Sequence, residues 1–261
     1  MSIVGSHCCE IHPRIDILGT PVSAIWPSKF LDLVDLRLDQ GGGGYITVPD
    51  AFNIMLATQD EHLAAVHNGA FIVSPDGSPL TVVGRLQGHR RMRRVCGPDL
   101  LPLLCKNGVS KGVRHYFYGG APGVAQAVAE SLSRACPGLQ VVGAESPPFR
   151  DITKEPDLEA ARRIKAARPD IVWVGLGAPK QEYWIAANSP LLTDAILIGV
   201  GAAFDFQSGR VARAPRWVQY AGLEWAFRFL QEPTRLWRRY LVAAPSFFFR
   251  AAGQIIRSRF V

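Results

Sequence analysis

The chain has 261 residues, 48% hydrophobic and 20% charged, and this composition excludes an intrinsically disordered protein. The net charge of +7 is concentrated at one end, because residues 213 to 261 contain nine arginines, no lysine and only two glutamates. The same segment carries 11 of the aromatic residues. This asymmetry indicates an anionic partner for the C-terminal segment.

Apolar runs alternate with amphipathic stretches along most of the chain, which is typical of β-α units and a largely parallel sheet. Strands are predicted, in chain order, at "RIDILG", "YITV", "AFIV", "HYFY", "LQVVGAE", "DIVWVG" and "DAILIGV". Helices are predicted between them at "PSKFLDLVDLRLDQ", "DEHLAAVHNG", "DLLPLLCKNG", "GVAQAVAESLSRA" and "PDLEAARRIKAARP". The pattern therefore predicts an α/β fold.

The rhythm changes after "SGRVARAP", where basic and aromatic residues begin to alternate between prolines. We predict a catalytic domain over residues 1–210 and a helical C-terminal appendage over residues 211–261. The appendage's longest uncharged apolar run, "YLVAAPSFFF", is about half of the ~20 residues that a bilayer span needs. The start of the chain lacks the pattern of a signal peptide, and the five cysteines form no CxxC motif. These features favour a cytosolic protein that is soluble or peripheral to a membrane.

The turns after the strands are the places to look for chemistry, because ligands bind at the carboxyl ends of parallel strands. Gly119 and Gly120 follow one strand and could bring backbone N–H groups close to a diphosphate, although an ordinary turn would look the same. Asp76 in "SPDG" is either a common turn residue or a general base. Gln181 follows a second glycine turn and could contact sugar hydroxyls.

The histidines and acidic residues show no spacing typical of metal ligands, so we expect neither a metal nor another cofactor. A bound diphosphate would then be neutralised by arginines, which bind phosphate oxygens in a bidentate manner. The basic cluster "GHRRMRR" is either a solvated surface or a source of one such contact.

Six stretches occur in a characteristic order and spacing: "SPDGSPLTVVGRLQG", "RRVCGPDLL", "FYGGAPGVA", "PDIVWVGLGAPKQEYWI", "LIGVGAAFDFQSGRVARAP" and "GLEWAFRFLQEPTRLWRRY". Together they closely resemble the WecG/TagA/CpsF family of glycosyltransferases, from about Ile15 to about Tyr240. The resemblance implies a Rossmann-like core with helices on both faces of the sheet and a C-terminal basic, aromatic helical appendage.

The resemblance also implies a reaction, namely metal-independent, inverting transfer of a sugar from a UDP-sugar to a polyprenyl-diphosphate-linked saccharide at the inner face of the cytoplasmic membrane. It places the base at Asp76, and it matches the family's substrate-binding residues with Thr47, Arg94 and Gln181. The arginines that close over the site and hold the leaving diphosphate are matched by Arg228, Arg235 and Arg238.

One departure concerns the strand after the glycine run. The family usually has Thr-x-Asn there, whereas this chain has "TVP" with Pro49 in place of the amide. We therefore expect a donor or an acceptor that differs from the family's best-known one. The stretch "SPDGSPL" resembles family members that build exopolysaccharide repeat units from plain hexoses, so glucose is the first expectation and N-acetylmannosamine the alternative. The donor, the linkage and a possible homo-oligomer are not specified by the residues.

Two other classes of protein are less well supported by the residues. A single-stranded nucleic-acid-binding protein could use a basic aromatic tail, but the balanced charge of residues 1 to 212 argues against a continuous basic groove, so no nucleic-acid partner is expected. A nicotinamide-dependent oxidoreductase would explain "YGGAPG", but only Glu145 is available as a ribose ligand.

Overall fold

The computed structural model describes residues 12–149 and 155–259. Its first two strands, β1 (Arg14–Ile17) and β2 (Thr20–Ser23), form an antiparallel hairpin outside the main sheet. The strand predicted at "RIDILG" is confirmed, but it does not join the parallel sheet as the β-α pattern suggested. The chain reverses at Leu18 and Gly19, both with positive φ, so that β1 pairs with β2 instead.

The main sheet has six strands in the order β4-β3-β8-β7-β5-β6, and every neighbouring pair in it is parallel. This arrangement confirms the predicted α/β class. The central strands are buried on both sides, as their continuous apolar runs predict. The strands are β3 (Gly44–Thr47), β4 (Ile72–Val73), β5 (Arg114–Gly119), β6 (Gln140–Glu145), β7 (Ile171–Gly175) and β8 (Ile196–Gly199).

Helices cover both faces of this sheet. Side chains alternate along the strands, so that Phe117 and Trp173 pack with helices on one face while Tyr118 and Val172 pack with helices on the other. The nine helices that the structure describes before residue 210 are α1 (Pro27–Asp39), α2 (Ala51–Ala57), α3 (Glu61–Gly69), α4 (Ser78–Leu86), α5 (Gly97–Gly108), α6 (Val124–Ala135), α7 (Leu158–Ala167), α8 (Lys180–Asn188) and α9 (Ala203–Gln207).

The appendage is helical, as predicted. It comprises α10 (Arg216–Tyr220), α11 (Glu224–Gln231), α12 (Pro233–Trp237), a π-helical segment (Arg238–Ala243) and α13 (Ala244–Arg259).

The last helix, α13, returns to the start of the chain. Phe247 is buried there in a cluster with Ile17, and Gln254 Oε1 accepts a hydrogen bond from the Leu18 backbone N–H at 3.0 Å. Among the described residues, no helix combines the length and the apolar character needed to cross a bilayer. The appendage is therefore anchored to the core at its far end, and the domain boundary near residue 210 stays a prediction.

Candidate active site

A cavity of about 1430 Å³ opens at the carboxyl ends of the parallel strands. The core side of its lining includes Asp76 after β4, Gly120 after β5 and Gly201 after β8. This is the position where open parallel sheets bind ligands, because the loops converge there. The other side of the cavity is lined by the appendage, through Glu224, Trp225, Arg228, Leu236, Arg238, Arg239 and Tyr240.

Asp76 is held at this edge by its own backbone. Its N–H donates to the Pro49 carbonyl at 3.1 Å, and Ser74 N–H donates to the Thr47 carbonyl at 2.8 Å, so the segment after β4 stays aligned with the segment after β3. Gly77 follows with φ of 95°, a conformation that suits glycine, and α4 begins at the next residue. The Pro-Asp-Gly turn therefore serves to point a carboxylate into the cavity.

The charges around Asp76 pull its pKa in both directions. Burial raises the pKa of Asp76 to about 6. The guanidinium of Arg94 partly opposes this increase, because its Nε lies 3.6 Å from Asp76 Oδ1. The nearby carboxylate of Asp50 adds to the increase, whereas Arg239 and Arg228 oppose it. A carboxylate with this pKa is a better proton acceptor than an ordinary aspartate, and it is still ionised near neutral pH.

Arg94 also contacts the appendage. Its Nη1 donates to Glu224 Oε2 at 2.7 Å, while Arg213 Nε donates to Glu224 Oε1 at 3.1 Å. Arg213 in turn donates to Asp99 at 2.6 Å. The buried Glu224 carboxylate thus lies between two guanidinium groups, and this network joins the Asp76 side of the cavity to α11.

Arg239 was missed by the sequence reasoning, which named its neighbour Arg238. In the structure Arg239 lines the cavity and forms two close contacts with Asp50 Oδ2, from Nε at 2.7 Å and Nη2 at 2.6 Å. Asp50 is the N-cap of α2 and accepts from Asn53 N–H at 3.0 Å. The signal available in the sequence was the second arginine of "WRRY" together with an aspartate directly after Pro49.

The other appendage arginines occupy different positions. Arg228 lines the cavity and lies over the Phe206 ring, and Arg238 lines the cavity and lies over the Trp237 ring. Arg235 belongs to α12, and its side chain lies outside the described side chains. Arg228 and Arg238 do not lie on one helix, since Pro233 starts a new helix and the π-helical segment follows it.

The glycine turn after β5 depends on a close approach of two strands. A Cβ on Gly119 would lie 2.6 Å from the carbonyl carbon of Gly175 in β7, and Gly119 has φ of 135°. Gly120 N–H donates to the Gly175 carbonyl at 2.9 Å, and Gly120 lines the cavity. Of the predicted pair, Gly120 therefore places its backbone in the cavity wall, while Gly119 packs against the backbone of β7.

Gln181 lies in the cavity wall, but its amide is already bonded within the protein. Its Oε1 accepts from Gly201 N–H at 2.9 Å, and its Nε2 donates to Glu182 Oε1 at 2.9 Å. Burial raises the pKa of Glu182 to about 7, and the bond from Gln181 opposes this increase. Gln181 thus fixes the loop after β8, and its contact with a sugar stays a prediction.

Thr47 is fully buried at the end of β3 and is not among the described residues that line the cavity. Its Oγ1 lies 3.0 Å from Nδ1 of His67, a side chain whose pKa burial lowers to about 4. The structure therefore does not bring Thr47 into the site, and a role in acceptor binding stays a prediction.

The cavity lies where open parallel sheets bind their ligands, nucleotides among them. Residues 15–260 match the Glycosyl transferase WecG/TagA/CpsF family. The chain belongs to this family of glycosyltransferases, as the sequence motifs predicted.

Two bacterial relatives cover most of the chain. It is 35% identical over 204 residues to the N-acetylglucosaminyldiphosphoundecaprenol N-acetyl-beta-D-mannosaminyltransferase of Bacillus spizizenii, an alignment that covers 78% of this chain and 77% of the relative. It is 31% identical over 215 residues to the protein of the same name from Bacillus subtilis, with 82% of each chain covered. Both relatives act on a sugar attached through a diphosphate to undecaprenol, as their names state.

Proposed function

We propose that this enzyme transfers N-acetylmannosamine from its UDP derivative to N-acetylglucosamine carried on a polyprenyl diphosphate. The donor and acceptor are inferred from the names of the two Bacillus relatives. These names favour N-acetylmannosamine over glucose, which was the first expectation from the sequence. The product would serve the synthesis of a bacterial surface polysaccharide.

The observation that carries the proposal is the placement of opposite charges in one cavity. The Asp76 carboxylate comes from the core, and Arg228 and Arg238 come from the appendage. An inverting transfer requires such an arrangement, since the base and the leaving group lie on opposite sides of the anomeric carbon. The cavity thus supports an acceptor near Asp76 and a donor diphosphate near the arginines.

In the proposed step, Asp76 removes the proton from an acceptor hydroxyl while that oxygen bonds to the anomeric carbon of the donor sugar. The bond from this carbon to the β-phosphate oxygen breaks, and UDP leaves with the electron pair. Guanidinium groups stabilise the charge that builds on the diphosphate, each charge-assisted bond contributing roughly 1.5–3 kcal/mol. In this step, arginine side chains supply the positive charge that a metal ion provides to the leaving diphosphate in other glycosyltransferases.

Association with the inner face of the cytoplasmic membrane is part of this proposal. Many exposed large apolar side chains belong to the appendage, among them Trp217, Trp225, Leu230, Trp237, Leu241, Val242, Phe248, Phe249 and Ile256. Exposed aromatic residues beside arginines suit a lipid headgroup region. The enzyme would bind its polyprenyl-linked acceptor at the membrane surface.

The test is transfer to a synthetic lipid-linked acceptor. The enzyme is given N-acetylglucosaminyl diphosphate on a lipid, with labelled UDP-N-acetylmannosamine, UDP-glucose or UDP-N-acetylglucosamine in turn. We expect label in the lipid fraction from UDP-N-acetylmannosamine alone, its loss in Asp76→Asn and its retention in Asp194→Asn, which changes an exposed aspartate. Transfer only from UDP-glucose would replace the proposed donor.

A further inference from the structure

A second cavity, of about 710 Å³, lies between α2 and the C-terminal helices. Its lining is mainly apolar, and the charged side chains in it are arginines. The lining consists of Phe52, Met55, Leu56, Gln59, Trp237, Arg238, Val242, Ala243, Pro245, Ser246, Phe249 and Arg250. A site with this lining suits a hydrocarbon whose attached group is anionic.

This second cavity lies next to two others, with which it shares lining residues. It shares Phe52, Arg238 and Pro245 with the active-site cavity. It shares Phe249 and Arg250 with a third cavity, of about 940 Å³, which extends to Leu18, Gly253 and Ile256. We call the second and third cavities together the apolar groove. It begins next to the active-site cavity and is lined along its length by residues of α13.

Several side chains of the groove are left in solvent by the fold. Phe249 is 84% exposed and Val242 is 52% exposed. Apolar side chains gain by burial, so a groove of this kind is stabilised when a hydrocarbon covers it. Its position fixes which hydrocarbon that would be, because the acceptor's tail must leave the cavity that holds the acceptor's sugar.

We propose that the apolar groove binds the first isoprene units of the acceptor's polyprenyl chain. This inference rests on the proposed function, which supplies a lipid-linked acceptor. The sugar would lie near Asp76, the acceptor's own diphosphate between the active-site cavity and the groove, and the polyprenyl chain between α2 and α13. The groove thus selects an acceptor by its tail as well as by its sugar, before the rest of the chain enters the membrane.

The test compares two acceptors that share N-acetylglucosaminyl diphosphate but carry either a farnesyl or an ethyl group, both used without detergent. The wild-type enzyme is expected to show a KM at least about tenfold lower for the farnesyl acceptor. In Val242→Glu and Phe249→Glu the ratio of the two KM values is expected to fall close to one. Equal KM values in the wild type would overturn the proposal.

Leu230→Glu is the matched control. Leu230 is 79% exposed on α11 and is not among the described residues that line the groove. It should keep the wild-type ratio. If the ratio of the two KM values fell close to one in this variant too, the effect would be a general one of surface charge. That result would overturn the proposal that the groove binds the polyprenyl chain.

A binding measurement separates this inference from the proposed function, because it needs no turnover. A farnesyl diphosphate with a benzophenone at its far end is crosslinked to the wild-type protein, and the labelled peptides are identified by mass spectrometry. Label is expected on α2 and α13, even if neither acceptor is glycosylated. Label spread over the outer surface of the appendage, as for any membrane lipid, or found only between two protein copies, would overturn the proposal.

Discussion

Arg94 Nη1 donates a 2.7 Å hydrogen bond to Glu224 Oε2, while Arg94 Nε lies 3.6 Å from Asp76 Oδ1. One guanidinium therefore contacts both the proposed base and the appendage. The position of α11 and the charge on Asp76 are thereby linked, since any movement of Glu224 changes what Arg94 can contact.

Glu224→Gln is expected to loosen the appendage and to lower the transfer rate. The substitution removes a buried charge between Arg94 and Arg213, at a cost of about 1–3 kcal/mol. We expect faster tryptic cleavage between α10 and α13, measured alongside sugar transfer. Glu159→Gln, which alters an exposed i,i+4 ion pair with Arg163, should change neither reading. Unchanged cleavage in Glu224→Gln would contradict the proposed link.

The pH dependence of kcat/KM should report Asp76. Since the pKa of this carboxyl is raised to about 6, kcat/KM is expected to rise as pH increases through about 6 and then to level off. Arg94→Gln removes a charge that lowers the pKa of Asp76, so the rise should move to higher pH. A profile whose midpoint stays in place in Arg94→Gln would show that another group titrates.

Asp76→Asn should abolish transfer without lowering stability near neutral pH. The folded pKa of Asp76 lies above its ordinary value of 3.8, so the folded state binds more protons than the unfolded state between about pH 4 and pH 6. Stability contributed by this group is therefore present at low pH and is lost as pH rises through about 6. Thermal unfolding at pH 7.5 should give a Tm for Asp76→Asn at or above that of the wild type. A clearly lower Tm would indicate a structural role.

Arg239→Ala is expected to weaken activity about 10- to 100-fold, because it removes a charge-assisted contact with Asp50 and a cation from the cavity wall. Arg239→Lys should restore little, since an ammonium cannot reproduce the paired contact. Steady-state transfer rates provide the measurement. Arg216→Ala, at an exposed position of α10, is the control and should behave like the wild type.

Gly119→Ala should destabilise the fold more than Gly177→Ala. Both glycines have positive φ, which costs an L-residue about 1–2 kcal/mol. Only at Gly119 would the new Cβ also meet the Gly175 backbone, at 2.6 Å, whereas nothing lies within 4 Å at Gly177. Chemical denaturation of the two variants measures the difference. Equal losses would show that β5 and β7 can move apart freely.

The sequence alone predicts a largely parallel sheet, because most of its strands are short apolar runs that end at or near a glycine or a proline. It also pointed to Asp76, which lies three residues after such a run and lines the cavity, while the role of Asp76 as the base stays a prediction. It could not identify the hairpin of β1 and β2, since pairing partners are not encoded in an isolated four-residue strand. Arg239 was missed because the π-helical segment changes which side of the helix faces the cavity. The partner of Thr47, His67, lies 20 residues away and was not predictable from spacing.

The two sides of the active-site cavity come from distant parts of the chain, Asp76 in the first third and Glu224 to Tyr240 near the end. Ribosomes add about 5–20 residues per second, so the appendage side is synthesised roughly 7 to 30 s after Asp76. During that interval the nascent core can fold around its sheet, but it lacks the arginines that we propose hold the leaving diphosphate. Transfer would therefore begin only after the appendage has been synthesised and has packed against the core, so that the exposed aromatic residues are present as soon as the site is complete.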